Sequence, residues 1–188
     1  MDYSMHYSKK ISIILIIIIG ALLITDSLHD TEENEILIKD VVINSTEGLK
    51  KINFNQEINF NPIVMKAIDR GIPLSFKVTL RVVEISDIWP NKTRLNKVGY
   101  YQIEYKSLRK VYKIRDINGN SYEYKYIDEA VQKILKVENF EFTFINDYEN
   151  YELWLNVALD RKKLPKPLQV NYFDTTWYIT SNKSIHKL

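Results

Sequence analysis

The stretch Leu74-Ser75-Phe76-Lys77-Val78-Thr79-Leu80-Arg81-Val82 alternates apolar and polar residues without a break. Successive side chains of a strand point to opposite faces, so this pattern predicts a strand with one face on a core and the other in water. The phase slips at Val82-Val83, which a β-bulge explains. The same period recurs on both sides. Upstream, Ile36–Ile43 opens the series, and Ile52, Phe54, Ile58 and Phe60 alternate with Asn53, Asn55, Glu57 and Asn59. Downstream come Tyr101, Ile103 and Tyr105, then a second slip before Leu108, Tyr112 and Ile114. Asn118-Gly119 reads as a hairpin turn ahead of Tyr122, Tyr124 and Tyr126. Phe140, Phe142 and Phe144 mark another strand, as do Tyr151, Leu153, Leu155, Val157 and Leu159, and the last strand is expected to hold Trp177 and Ile179.

Two helices interrupt the strands. Asn61 is placed as an N-cap with Pro62 at the first helical position, an apolar stripe of Ile63, Val64, Ala67 and Ile68 follows, and Gly71 with Pro73 stops it. The second helix is expected from about Asp128 to Glu138, with its acids in the first turn and lysines near the last, as the helix dipole favours. These elements predict a mostly β fold, an antiparallel sandwich or curved sheet with two short helices, preceded by an N-terminal hydrophobic helix. A two-layer α+β arrangement is the alternative.

With 188 residues, 45% apolar and 27% charged, the chain matches one globular domain with a substantial core and excludes disordered and fibrous classes. It has no cysteine, which removes disulfides, thiolate nucleophiles and Cys-ligated zinc. Its histidines, His6, His29 and His186, are near the chain ends and outside the segment that reads as folded. The usual parts of triads and His-metal clusters are therefore missing. No phosphate loop, GxSxG elbow or EF-hand spacing occurs, and no cofactor is expected.

Lys9 and Lys10 precede an apolar run, Ile11 to Thr25, and acids follow at Asp26, Asp30, Glu32 and Glu33. The positive flank stays in the cytoplasm, so the remainder is expected outside the inner membrane. As a helix the run would be roughly 22 Å long, short for the bilayer core, but lysines can snorkel and let it span. Residues 1–30 are read as a cytoplasmic tip plus membrane anchor or signal peptide, and residues 31–188 as one exported domain. The expected location is the inner membrane, single-pass through residues 11–25 with the domain in the periplasm; a cleaved, soluble periplasmic form is the alternative.

Between residues 92 and 115 eight cations face the single acid Glu104, a net +7, with Tyr100, Tyr101, Tyr105 and Tyr112 interleaved. Arg109, Lys110, Lys113 and Arg115 are the candidate anion- or partner-binding face. The plainer reading is solvated strand faces whose lysines discourage edge pairing. Export argues against a nucleic-acid partner and for an envelope protein. From Glu138 to Glu152 the sign reverses, and the two regions are candidates to neutralise each other. Catalysis, if any, would fall to strand-end carboxylates, with Asp87, Asp116, Asp160 and Asp174 as candidates for a hydrolase pair acting on an envelope polymer. Strand-end Asp is otherwise a turn former. Pro165-Lys166-Pro167 is expected to hold Leu164 and Lys166 extended in a stiff connection.

Two stretches carry a resemblance. One is Lys66-Ala67-Ile68-Asp69-Arg70-Gly71-Ile72-Pro73-Leu74-Ser75-Phe76; the other is Leu159-Asp160-Arg161-Lys162-Lys163-Leu164-Pro165-Lys166-Pro167-Leu168-Gln169-Val170, followed by Trp177 and Ser181. With Tyr105, Leu108, Tyr112 and Asp128-Glu129-Ala130, they resemble the bacterial domain-of-unknown-function 4390 family over Glu35 to Ser181. The resemblance implies a proteobacterial envelope protein, encoded beside a nitrogen-regulation-type sensor histidine kinase, and thus a periplasmic accessory role. It implies no catalytic or ligand-binding residue. The chain departs from the family after Trp89, where Pro90-Asn91-Lys92-Thr93 replaces a more aromatic and acidic stretch. The expected function is a non-enzymatic periplasmic binding or accessory domain; the carboxylate-dependent hydrolase is the alternative.

Overall fold

The computed structural model describes residues 35–46, 48–145, 150–169 and 175–188. These form a curled half-barrel sheet of ten strands. In chain order the elements are β1 (Glu35–Thr46), β2 (Leu49–Ile58), α1 (Pro62–Asp69), β3 (Leu74–Glu84), β4 (Lys92–Lys106), β5 (Val111–Arg115) and β6 (Ser121–Tyr124). There follow α2 (Ile127–Ile134), β7 (Lys136–Thr143), β8 (Tyr151–Leu159), the one-turn α3 (Lys166–Gln169), β9 (Thr180–Ser181) and β10 (Ser184–Lys187). Across the sheet the strands run β6-β5-β4-β3-β8-β9-β1-β2-β7, and β10 pairs with β8 beside β9. Pairing is antiparallel except between β9 and β1, which run parallel for two residues.

The alternation that predicts β3 sets its partners. Phe76, Val78, Leu80 and Val82 oppose Leu159, Val157, Leu155 and Leu153 of β8, and all except Leu159 are 0% exposed. Burial of each such side chain contributes about 1.5–3 kcal/mol. The bulge at Val82-Val83 is real, but the extra residue is on the neighbour: Val82 pairs with Leu95 and Val83 with Thr93, leaving Arg94 unpaired on β4. The sheet curls until β4 faces β2 and β7. The Lys97 ammonium donates to the Glu141 carbonyl and lies 5.5 Å from the Phe140 ring centroid, while Gln56 of β2 donates to the Tyr101 hydroxyl at 2.7 Å and to the Ile134 carbonyl at 2.6 Å.

α1 begins as the sequence predicts: the Asn61 side chain accepts from the Val64 N–H at 2.9 Å, and Gly71 takes the left-handed conformation after the helix. α2 is shorter than expected. It stops at Ile134, and Lys136–Glu138 belong to β7, because the Val137, Phe140 and Phe142 side chains are required on the core face of that strand. Leu108 does not pack with Tyr112 and Ile114; it is at the tip of the Ser107–Lys110 turn and is fully exposed.

Three expectations for the C-terminal part are corrected. Trp177 is in a 3-10 turn and Ile179 precedes β9, both buried under neighbouring elements. Lys166 is not extended: it opens α3, with Pro167 in the first turn, where a missing N–H costs nothing. His186 belongs to the folded part, opposite Leu153 on β10, and burial holds its imidazole below the ordinary value. Among the described residues no helix is long and apolar enough to cross a membrane; the run Ile11 to Thr25, with His6 and His29, lies outside the described residues.

Candidate functional site

The outward positions of β3 are Lys77, Thr79 and Arg81, and their neighbours across β8 are Ala158, Asn156 and Trp154. Directly opposed residues share a face with Cβ atoms about 4.5–5.5 Å apart, so two cations and an indole stand side by side on the convex surface. A third cation arrives from the β9–β10 connection. The Asn156 amide donates to the Ser181 carbonyl at 2.8 Å, and the Val157 N–H donates to the Ser181 hydroxyl at 2.9 Å. These bonds fasten the connection against β8 and set the Lys183 ammonium 3.5 Å from the Trp154 ring centroid. Together Lys77, Thr79, Arg81, Trp154, Asn156 and Lys183 line an open groove of about 340 Å³.

The charge in this groove is uncompensated. Neither Lys77 nor Arg81 has an ion-pair partner among the described residues. Glu152, two residues before Trp154 on β8, accepts from Trp154 Nε1 at 2.8 Å and so fixes the indole plane. The surface continues onto β4, where Tyr100 opposes Lys77 and carries the Lys163 ammonium 3.3 Å from its centroid. Lys163 is held by a capped turn: the Asp160 carboxylate accepts from the Lys162 N–H, and the Asp160 N–H donates to the Ser75 carbonyl at 2.8 Å. Cations over aromatic faces are pre-placed and keep hydrogen-bond donors free for an anion.

Of the four residues singled out in the sequence, Lys113 and Arg115 share one face of β5, Arg109 reaches Glu123 opposite Lys113 on that face, and Lys110 is exposed in the adjoining turn. Arg109 and Lys110 are in the β4–β5 turn, and Arg109 is spent on Glu123 through contacts of 2.7 and 2.9 Å. Lys113 is on β5 between Glu104 and Glu123 of the adjoining strands, and Arg115 is exposed opposite Gln102 and Ser121. Within the +7 segment Arg94 pairs with Glu84 from β3, and Lys106 pairs with Glu104, the acid the segment itself contains. The acidic run behaves likewise: Lys51 holds the Glu141 carboxyl below the usual range, and Lys133 reaches Glu138 at 3.7 Å.

The candidate catalytic carboxylates are dispersed. Burial alone would raise Asp116, but the Asn120 amide and N–H, the Asn118 N–H and the Tyr122 hydroxyl bring it below its ordinary value, a turn-closing role. Asp160 caps its turn, and Asp174 lies outside the described residues. Asp87 lines a wider groove of about 730 Å³ at the β3–β4 loop with Glu84 and Glu152, which are already engaged by Arg94 and Trp154. Among the described residues no cluster of His, Asp and Glu can hold a metal ion.

Lys183 and Trp154 were beyond reach of sequence reasoning, since no period links residue 183 to residue 77. A signal for half of the site was present: the outward phase of β3 holds Lys77 and Arg81 and no acid.

Fold and surface define a mostly β, curled half-barrel domain with a cation- and aromatic-rich outer face. The family model described as Domain of unknown function (DUF4390) matches residues 33–186, and the chain belongs to that family. No curated protein and no solved structure matches it.

Proposed function

We propose that the chain is a non-enzymatic accessory domain of the bacterial envelope, anchored or exported through residues 11–25, that binds an acidic surface of a partner protein across the β3–β8 groove. The observation that carries this reading is the unpaired couple Lys77 and Arg81 beside Trp154, with Lys183 lying on the indole. Cations with no partner in the chain are left available to the carboxylates of an acidic surface, and such charge complementarity gives specificity and speeds association. An aromatic anchor among Lys and Arg also matches the composition of binding hot spots. A sensor histidine kinase is the first partner to test.

A photo-crosslinking residue at Thr79, introduced into the full chain in its native envelope, tests this directly. One protein should be captured, and the Lys77→Glu, Arg81→Glu pair should abolish its capture while Arg109→Glu leaves it intact. Capture that survives charge reversal in the groove overturns the reading. Asp87→Asn should leave capture unchanged; an envelope-polymer hydrolysis lost on that change alone would establish the hydrolase instead.

A further inference from the structure

Several connections meet where the described chain begins. Glu35 opposes Thr180, Thr180 opposes Ala158, and Leu159 opposes Phe76, so β1 starts at the same end of the sheet as β3 starts and β8 finishes. Leu74 opposes Ile103, and β4 runs on from there into the Ser107–Lys110 turn, which projects beyond that end. The β2–β3 connection, with α1, and the Arg161–Gln169 segment cross this end as well. The β3–β4 loop, residues 85–91, is at the other end.

The tip of the projecting turn is Leu108, 100% exposed and followed by Arg109 and Lys110; Ile63, in the first turn of α1, is 58% exposed. A single exposed Leu is ordinary. Here it stands among cations. Lys66 of α1, Arg70 at its C-terminal cap, Lys110, Lys162 and Lys166 are exposed with no carboxylate partner among the described residues. The nearby acids are engaged: Asp69 by the Tyr112 hydroxyl, Glu104 by Lys106, Glu123 by Arg109 and Asp160 by its own turn. Among the described residues there, Glu35 and the α2 pair Asp128 and Glu129 have no ion-pair partner, and the connecting residues 26–34 carry four further acids in sequence.

We infer that this end rests on an anionic bilayer surface, with Leu108 entering the headgroup–acyl boundary and the surrounding lysines and arginines meeting lipid phosphates. The inference rests on the anchoring proposed above. Nine residues, 26–34, separate the apolar run from Glu35, so the start of β1 can lie at most about 35 Å from the end of that run. Each basic side chain near such a surface contributes roughly five-fold to membrane affinity, and the contribution falls with salt. An inserted apolar tip adds to the affinity in proportion to the apolar area it buries.

The chain lacks cysteine, so Leu108→Cys carries a unique fluorophore in the full-length protein. Reconstituted with vesicles of phosphatidylethanolamine and phosphatidylglycerol containing brominated lipid, the label at Leu108 should be quenched, and one at Ile88→Cys in the opposite loop should not. Quenching should fall several-fold when phosphatidylcholine replaces the phosphatidylglycerol, and likewise in the Lys110→Glu, Lys162→Glu, Lys166→Glu variant, with flotation preserved in both cases. A floating protein whose Leu108 label is unquenched, or quenched no more than the Ile88 label, overturns the docking and leaves anchoring intact. A chain that does not float overturns both.

Discussion

At Gly99 the half-barrel closes on itself. A Cβ built there would approach the Ile117 side chain to 2.6 Å and the Phe140 ring to 2.9 Å, so the inner face of β4 has no room for a methyl group. We predict that Gly99→Ala destabilises the protein by about 1–3 kcal/mol through overpacking, seen as a lower urea midpoint with an unchanged slope. An unshifted midpoint would mean that Ile117 and Phe140 yield freely. In the sequence Gly99 lies two residues before Tyr101, where the alternating run is read to begin, and the constraint is invisible because both crowding residues come from later in the chain. Gln56 is a parallel case. Its position in the alternation of Ile52, Phe54 and Ile58 points inward, and the structure buries it because Tyr101 and the Ile134 carbonyl supply acceptors for its amide. Period two identifies an inward position; only the fold shows which polar residue has partners there.

At the scale of elements, signals confined to a few neighbouring residues are legible and those that depend on distant packing are not. The α1 start is local, since Asn61 caps the Val64 N–H and Pro62 fits the first turn. Asn61→Ala should therefore cost about 1 kcal/mol in chemical unfolding, with Asn61→Asp retaining most of it, because aspartate accepts the same bond. Equal losses for both variants would assign the stabilisation to something other than the cap. The Asn118-Gly119 turn is equally local, with Gly119 at φ +88° and Asp116 gathering the N–H groups of Asn118 and Asn120. The end of α2 is different. Residues 130–135 carry helical spacing, but β7 claims Lys136 onward because it pairs with β2 along Leu49–Asn55. β9 and β10 are short, and β9 exists as a strand because its two residues bridge β8 and β1. A two-residue bridge has no period to read.

At the scale of the whole molecule, strand order decides which surface is charged, and no property of the sequence shows that order directly. Of the cations of residues 92–115, Arg94 and Arg109 pair with Glu84 and Glu123 and Lys106 with Glu104 of its own strand, whereas Lys77 and Arg81, unremarkable in sequence, gain Trp154 and Lys183 as neighbours. One long-range tie makes the integrity of the assembly open to measurement. The Tyr112 hydroxyl of β5 donates to the Asp69 carboxylate of α1 at 2.7 Å, joining the β4–β5 hairpin to the helix between β2 and β3. Burial, and then the Asp69 carboxylate that accepts its proton, push Tyr112 from about 10 up to about 12. The folded state thus favours the protonated phenol more than the unfolded chain does. Its contribution to stability is complete below pH 10 and is lost as the pH rises towards 12. Other tyrosines and the lysines titrate in the same window, so the informative quantity is the difference in urea midpoint between the native protein and Tyr112→Phe. That difference should be constant up to about pH 10 and fall steadily from there towards pH 12. Asp69→Asn should also lower the pH at which the Tyr112 absorbance changes, since the Asp69 charge is then gone and only burial and the charges of Tyr105 and Asp128 oppose ionisation. A difference that stays constant across the window would mean that the hydroxyl does not hold α1 to the hairpin, and that apolar packing of Val64, Ala67 and Ile68 carries that junction unaided.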